Sequence, residues 1–414
     1  MKHKRPSRRI KKIGQSNLGS IFTIVIFMAI GVYLLFSVGA ATPVSSVEVE
    51  QGVTSCPNMK VQDNTASGGW MLRFGVNSCT SEPTIDTRID TGVPIATWTN
   101  AAEIPGLNTD LYNGSPVGNF RVLCFPSHLS YDDPIVYRNQ QGAAHLHMFF
   151  GNIGADYKSN FNSLKLTGDG TCSGGPLNRS AYWIPAMMDI SGNVRVPSII
   201  NVYYKTNGAD KTLVQKMPEG LRMMTSNSKA TNAQSTEYIH WNCLSRSSDQ
   251  LALIPTCQPG DGLQMFLRFE QCWDGQNLDT TTGAFSNNDH ISHMAHPDNN
   301  HNCPPSHPVV LPEVTYNIVW GGVDTNTAGW YLTSDKMNGS LPGGTTTHAD
   351  WFGAWQPTIM QTFIDNCVKI GRNCEWGRLG NGTKLLPIPN EYTGARTVTK
   401  PSSTTQRLDF SRPF

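Results

Sequence analysis

The sequence has few charged residues and lacks several common catalytic motifs. Only 15% of its 414 residues are charged, against roughly 25% in an average soluble domain, which argues against charge-driven disorder and a charge-rich helical protein. It contains no G-x-S-x-G, P-loop or G-x-G-x-x-G motif, so an elbow-type serine hydrolase and a nucleotide enzyme are disfavoured. Because no C-x-x-C pair occurs either, a zinc ribbon or thioredoxin-type redox motif has no support.

Turn-forming residues are abundant where charge is scarce. The chain has 38 glycines and 26 prolines, a composition that interrupts helices and favours β structure with long loops. Apolar residues approximate helical spacing at 356–369. We therefore expect a mainly β protein: a sandwich-like single large domain with long loops and a few short helices, preceded by an N-terminal transmembrane or signal helix. Short β-prone runs lie at 120–125, 145–150, 199–204, 263–269 and 314–320.

The N-terminus combines a basic segment with an uncharged run. Residues 1–40 contain seven Lys or Arg and no acid, and the uncharged run 21–40 would span about 30 Å as a helix, enough for a bilayer core. A small-residue cleavage signal ends this run, so a retained anchor and a cleaved signal peptide both remain open. Both predict export, either as a secreted protein or as a single-pass protein on the extracellular face with its N-terminus inside.

Five segments follow from these patterns. We divide the chain into a basic cytoplasmic segment (1–20), a transmembrane anchor or signal peptide (21–40), a spacer (41–55), an exported domain (56–390) and a polar tail (391–414). Removing the seven bases of residues 1–40 from the 32 in the chain leaves 25 bases against 31 acids. The mildly acidic body gives no electrostatic reason to expect nucleic acid as a partner.

All ten cysteines follow the uncharged run, and an even number in an exported, loop-rich chain predicts disulfides. Pairing between neighbours, Cys243 with Cys257, Cys272 with Cys303 and Cys367 with Cys374, is the simplest guess, although sequence does not fix the connectivity. The candidates are Cys56, Cys79, Cys124, Cys172, Cys243, Cys257, Cys272, Cys303, Cys367 and Cys374.

Two histidines in an H-x-H pattern are the first candidates for chemistry. His145 and His147 would project to the same face of a strand, where two imidazoles could chelate a metal or flank a substrate. His128 or His348 with a carboxylate would complete a site of the zinc, copper or iron type. The cofactor stays open, a divalent metal being one candidate, with His128, His145 and His147 as its ligands. The alternative is a set of ordinary hydrogen-bonded core histidines.

Two carboxylates beside an aromatic ring are the second candidates. Asp274 and Asp279 near Trp273 suit glycoside cleavage by an acid and a base or nucleophile, although the same residues also describe an ordinary Asp-Gly turn. We expect His145, His147 and His348 to share a cleft with at least one of Asp133, Asp274, Asp279 and Asp350. The catalytic candidates are Asp274, Asp279, His145, His147, His348 and Asp350; the substrate-binding candidates are Trp183, Trp273, Asn277 and Trp351.

Several stretches together resemble the DUF1996 family, a domain of unknown function. They are "DDPIVYRNQQGAAHLHMFFGN", "AYWIPAM", "MPEGLRMM", "CWDGQNLD", "DHISHMAHP" and "HADWFGAW", and the resemblance runs over about 120–367. Two departures are "YRNQQGAAH", where a Pro-Gly turn is expected, and "HADWFGAW", which replaces an Asn-Gly-Trp ending. The matched positions are His128, Asp133, His145, His147, Trp183, Cys272, Trp273, Asp274, Asn277, Asp279, His290, His293, His307, His348 and Asp350.

The resemblance implies an extracellular setting but no specific activity. The family occurs in secreted or surface proteins of fungi and bacteria, sometimes beside carbohydrate-binding modules, which implies contact with cell walls or polysaccharides. We therefore expect a carbohydrate-active protein, glycoside hydrolase-like or a metal-dependent hydrolase, that acts on a cell-wall or extracellular polysaccharide through a His/Asp cleft. The alternative is a non-catalytic surface module that binds glycan or matrix. A copper oxidase has less support because no blue-copper His/Cys/Met set stands out.

Overall fold

A computed structural model of the 414-residue chain describes residues 60–62, 70–72, 117–166, 169–280, 290–337, 339–381, 383, 385, 396–401 and 405–407. The chain divides into two units, 1–80 and 81–414. In the first unit, β1 (Lys60–Gln62) pairs antiparallel with β2 (Trp70–Leu72). The expected anchor or signal peptide, the spacer, Cys56 and Cys79 lie outside the described residues. Within the described part of the chain, no helix has the length and apolar character needed to cross a membrane.

The second unit is mainly β with a few short helices, as the composition predicts. Helix α1 (Phe161–Leu166) is short, and α2 (Pro357–Phe363) continues as a π-helix over Ile364–Val368, within the segment expected to be helical. The strands are β3 (Asn119–Cys124), β4 (Pro126–Ser130), β5 (His147–Gly151), β6 (Ala181–Pro185), β7 (Met187–Met188), β8 (Asn193–Val196), β9 (Ile199–Lys205), β10 (Arg222–Thr225), β11 (Ile239–Cys243), β12 (Leu263–Arg268), β13 (Cys272–Trp273), β14 (Met294–Ala295), β15 (Val309–Val310), β16 (Glu313–Trp320), β17 (Tyr331–Leu332), β18 (Ala349–Phe352), β19 (Asn373–Cys374), β20 (Arg396–Thr399) and β21 (Thr405–Arg407).

Two six-stranded sheets organise this unit. The first sheet has the order β10-β18-β6-β5-β4-β21 and the second has the order β11-β12-β16-β9-β3-β19. All pairs are antiparallel except β19 with β3. The smaller sheets have the orders β14-β13-β15 and β17-β7-β8-β20. Each of the five β-prone runs in the sequence coincides with a long strand of these sheets: β3, β5, β9, β12 or β16.

Aromatic side chains fill the space between the two sheets. The ring of Tyr316 from β16 lies 5.4 Å from Phe150 and 6.0 Å from Tyr182, both of the first sheet. The hydroxyl of Tyr204 on β9 accepts hydrogen bonds from Trp351 Nε1 at 3.1 Å and Trp355 Nε1 at 2.9 Å. Because these buried donors are paired, burying them in the shared core costs little free energy. One face of the first sheet therefore packs against the second sheet. Its other face, the outer face, makes a separate set of contacts.

The outer face of the first sheet carries a second, smaller apolar cluster. Phe149, Trp183 and Phe352 project there and pack against Ile135, Ala155 and Leu164 from the loops that cover this face. Side chains alternate along a strand, so His147 shares this face with Phe149, and Asp350 shares it with Phe352. The candidate residues of β5 and β18 are therefore brought together beneath a loop, away from the main core.

The eight described cysteines form four disulfides, and none is free. The three neighbour pairings guessed from the sequence are confirmed, and the fourth bond joins Cys124 to Cys172. The Cys272–Cys303 bond closes a chain segment of sequence separation 31. That segment includes the His290 and His293 positions, so the bond restrains the histidine-rich loop.

Replacing Cys272 and Cys303 together with serine is expected to lower the free energy of unfolding by about 3–4 kcal/mol, because the unfolded chain regains loop entropy. The same double replacement at Cys367 and Cys374, with a separation of only 7, is expected to cost about 1 kcal/mol less. Urea unfolding curves of both variants measure the difference. A larger loss for the shorter loop, or disulfide mapping that finds other pairings, would contradict the assignment.

Candidate functional site

Three histidines meet on the outer face of the first sheet. His147 begins β5, His145 precedes it by two residues, and His348 directly precedes β18. Strand β6 separates β5 from β18 in the sheet. One ligand nitrogen from each ring lies within 4.8 Å of the other two. The ring centroids are 4.1 Å apart for His145 and His147, 5.2 Å for His145 and His348, and 6.4 Å for His147 and His348.

Backbone carbonyls orient two of these rings. His147 Nδ1 lies 3.0 Å from the carbonyl oxygen of Asp132, and His348 Nδ1 lies 2.7 Å from that of Thr346. A carbonyl only accepts, so each Nδ1 donates and the lone pair of the neutral ring is on Nε2. The Nε2 atoms of His145 and His147 are buried without a hydrogen-bond partner among the described residues. Metal-ligating histidines are held in this way, with the second ring nitrogen bonded to a carbonyl or carboxylate.

The three rings are neutral at ordinary pH. Burial lowers the pKa of His147 to about 4 and that of His348 to about 4. Burial, followed by the charges of His147 and His348, lowers the pKa of His145 well below its usual value. Since only neutral imidazole can ligate a metal, the site holds its rings in the form that a metal requires.

More buried polar atoms without partners lie on the same face of the first sheet. Both carboxyl oxygens of Asp350 and Trp183 Nε1 have no hydrogen-bond partner among the described residues, and these two residues face each other across β18 and β6. Burial, reinforced by the charge of Asp133, raises the pKa of Asp350 well above its usual value. Unpaired buried polar groups are costly. A metal ion with bound water would supply partners for such a set.

Two neighbouring aspartates organise the loop over the site. Asp132 Oδ1 accepts a hydrogen bond from the backbone of Gly142 at 2.9 Å, while its carbonyl orients His147. Asp133 Oδ1 accepts from the backbone of Ile135 at 2.8 Å and Val136 at 2.9 Å. Sequence reasoning placed Asp133 near the cleft, but it did not predict the role of the Asp132 carbonyl, because a backbone contact has no side-chain signature.

Asp279 lies in a separate charged cluster. Its Oδ1 is 2.8 Å from His290 Nδ1, and its Oδ2 accepts from Arg138 at 2.9 Å and Arg222 at 3.2 Å. Burial opposes ionisation of Asp279, but the hydrogen bond from His290 and the charges of His290, Arg222 and Arg138 hold its pKa below the usual value. The carboxylate therefore anchors two guanidinium groups. Sequence reasoning missed both arginines, although they lie within the quoted "YRNQQG" and "MPEGLRMM".

Asp274 closes a turn. An ordinary Asp-Gly turn was the alternative to a catalytic carboxylate pair at this motif. Its Oδ1 accepts from the backbone of Gln276 at 2.8 Å and Asn277 at 2.9 Å, and Trp273 Nε1 donates to the Asn277 carbonyl at 2.6 Å. Burial opposes ionisation of Asp274, but the hydrogen bonds that its carboxyl accepts from Asn277 and Gln276 lower its pKa overall. A glycosidase acid needs a raised pKa. The pKa of both Asp274 and Asp279 is lowered instead. Their assignment as an acid and a base or nucleophile stays a prediction.

Other candidates are occupied elsewhere. His128, expected as a metal ligand, lies outside the three-histidine group: its Nδ1 is 2.9 Å from Ser127 Oγ and its Nε2 is 2.9 Å from the Ala155 carbonyl. His348, and not His128, is the third member of this group. Trp183 and Trp351 are fully buried, so neither ring face is available for stacking on a sugar at the surface.

These features define a disulfide-bonded β protein with a three-histidine site, in which His147 and His348 are buried and His145 is half-buried, and with a separate charged Arg/Asp cluster. A family model described as "Domain of unknown function (DUF1996)" matches residues 133–355. This range is more than half of the chain and includes all three histidines of the site. The chain belongs to the DUF1996 family, as its motifs indicate. No significant match was found among curated proteins or among solved structures.

Proposed function

We propose that this protein is an exported, metal-dependent hydrolase of extracellular or cell-wall polysaccharide. In this proposal His145, His147 and His348 hold one divalent transition-metal ion through their imidazole nitrogens. The observation that carries the proposal is the convergence of one ligand nitrogen from each ring within 4.8 Å. The Nε2 atoms of His145 and His147 are also buried without partners among the described residues.

The donor set suits a catalytic metal. Imidazole nitrogens favour zinc, copper and iron over magnesium or calcium. Three protein ligands leave a coordination position for water or substrate, as catalytic zinc sites do, whereas structural zinc sites use four protein ligands. When bound, such an ion lowers the pKa of its water and supplies a nucleophile at neutral pH. The protein's own contribution is to hold three neutral rings and to place the Asp350 carboxyl on the same face of the sheet, two residues after His348.

The location and the substrate class rest on the sequence. The basic N-terminus, the uncharged run 21–40 and the ten cysteines support export, either secreted or held on the extracellular face by a membrane anchor. The four described disulfides fit an oxidising compartment. The family's occurrence beside carbohydrate-binding modules supports a polysaccharide as the partner.

A second candidate function is a non-catalytic surface module that binds glycan or matrix. The observation that favours it is the depth of the site, since His147 is 0% exposed and His348 is 2% exposed. A metal held so deeply would stabilise the loop over the first sheet and would not need to meet a substrate.

Metal analysis combined with an activity screen separates these candidates. The purified full-length protein is loaded with Zn²⁺, Cu²⁺ or Fe²⁺, its metal content is measured, and reducing ends released from a polysaccharide panel are counted with and without a chelator. We expect one ion per chain and hydrolysis that chelation abolishes and metal restores. Bound metal that raises only the melting temperature, with no product, would support the module. Absence of stoichiometric binding would overturn both metal roles.

A further inference from the structure

We infer that Arg138 and Arg222 form a second binding site, which recognises an anionic group, a carboxylate or a sulfate ester, on the polysaccharide. This inference rests on the proposed function for its substrate class. The two guanidinium groups converge on one oxygen of Asp279. Two positive charges therefore meet a single carboxylate, and the cluster keeps a positive excess within a body in which acids outnumber bases.

Most donors of the two arginines are free to bind a ligand. A guanidinium has five N–H donors, and each of these arginines uses one of them on Asp279 Oδ2. The Nε atoms of both arginines are buried without a hydrogen-bond partner among the described residues, so a ligand would bind the remaining donors on the terminal Nη groups. The Arg138 side chain is 33% exposed, so solute can reach it. A planar fork of donors matches the oxygens of a carboxylate or a sulfate in bidentate geometry.

The arginines are held in place before any ligand arrives. Asp279 is almost fully buried and its other oxygen is bonded to His290. Arg222 lies over the ring of Phe352, with 4.7 Å between the guanidinium carbon and the ring centroid. Side chains that are already fixed lose little entropy on binding. These contacts favour a receptor for anions over a mobile surface ion pair.

The sheet register places this cluster along the same face as the three histidines. Arg222 is the cross-strand partner of Phe352, and His348 precedes Phe352 by four residues on the same chain segment. At about 3.4 Å per residue, the two positions are about 14 Å apart. One polymeric chain could therefore contact both places, with the metal site at one sugar and the arginines at an acidic group further along.

Binding of matched acidic and neutral polymers tests this inference. The full-length protein is titrated with polygalacturonate and its methyl ester, and with dextran sulfate and dextran, at fixed ionic strength. We expect each acidic polymer that carries the recognised group to bind at least tenfold more tightly than its neutral partner. The polygalacturonate and dextran sulfate arms distinguish a carboxylate from a sulfate.

Variants assign the effect to the arginines. Arg138→Gln is expected to lower the preference for the acidic over the neutral polymer at least tenfold. Arg138→Lys is expected to restore part of this preference, because the positive charge returns without the planar fork. The control is Arg121→Gln. Arg121 lies on β3 of the second sheet and pairs with Glu375 at 3.1 Å, so its replacement should leave binding unchanged. Equal binding of acidic and neutral polymers, or an unchanged preference in Arg138→Gln, would overturn the inference.

A third variant separates this inference from the proposed function. His348→Ala removes a metal ligand and is distant from the arginines. If it loses metal yet keeps the acidic preference, anion recognition is established independently of catalysis. If the wild-type protein binds metal and hydrolyses only neutral polymers without any preference for acidic ones, the proposed function stands and the anion site does not.

Discussion

Replacing His348 with alanine is expected to lower the affinity for Zn²⁺ by more than about 100-fold. Changing a residue that only orients a metal-bound histidine typically costs 10–100-fold, and removal of a ligand should cost at least as much. His145→Ala should have the same effect, since its buried Nε2 is one of the unpartnered nitrogens. Competition with a chromophoric chelator measures the affinity, and circular dichroism checks that each variant is folded.

His128→Ala is the matched control for this experiment. His128 is also buried on the first sheet, stacked on Phe149 with ring centroids 4.6 Å apart, but both of its ring nitrogens have partners within the protein. We expect this variant to lose stability while it keeps the metal. Metal binding that survives in His348→Ala, or that disappears equally in His128→Ala, would show that the three histidines are not the ligands.

Local sequence patterns predicted where the strands lie better than they predicted which strands pair with each other. Apolar runs near 120–125 and 314–320 became β3 and β16 because strand formation depends on local β propensity and turns. The sequence did not predict that β18 pairs with β6, or β9 with β16, because such pairs join segments far apart in the chain. This long-range pairing determines which side chains share a face.

Sequence reasoning predicted that His145, His147 and His348 share a cleft, but it left the third metal ligand open between His128 and His348. His145 precedes β5 and only His147 lies within it, yet their rings still meet. The choice between His128 and His348 depended on partners that have no local signature: the carbonyl of Ala155 satisfies His128 Nε2, whereas that of Thr346 orients His348 through Nδ1. Which nitrogen a backbone carbonyl engages becomes visible only in the folded chain.

The aromatic and acidic candidates show a second limit of sequence reasoning. Trp183 and Trp351 were expected to contact sugar, but both rings are fully buried, Trp351 in the main core and Trp183 in the smaller cluster on the outer face. Alternation alone therefore does not expose either ring. Asp279 was chosen as half of a carboxylate pair with Asp274. Its ion pairs instead connect it to arginines 141 and 57 positions away in the chain.

Asp279→Asn is expected to lower the free energy of unfolding at pH 7 by about 3–5 kcal/mol. Removing one partner of a buried ion pair leaves the other charge without compensation, and such changes typically cost this amount. Here two arginines lose their shared carboxylate. Because the Arg222 side chain is only 15% exposed, water cannot fully replace the carboxylate as its partner. Urea unfolding of the wild type and the variant measures the loss.

The dependence of this loss on pH identifies its cause. The pKa of Asp279 is lower in the folded protein than in the unfolded chain, where it is about 3.9. Its contribution is therefore fully present above about pH 5 and is lost as the pH falls through the folded pKa. The difference in the free energy of unfolding between wild type and Asp279→Asn should therefore shrink as the pH falls below about 4.

Asp274→Asn is the control because its carboxyl also has a lowered pKa but lies in a partly exposed turn, bonded mainly to nearby backbone. Loss of those hydrogen bonds should cost only about 1 kcal/mol. Equal losses in the two variants would contradict the ion-pair explanation. A loss in Asp279→Asn that stays constant down to pH 3 would do so as well, because it would show that packing rather than the carboxylate charge holds Arg138 and Arg222 in place.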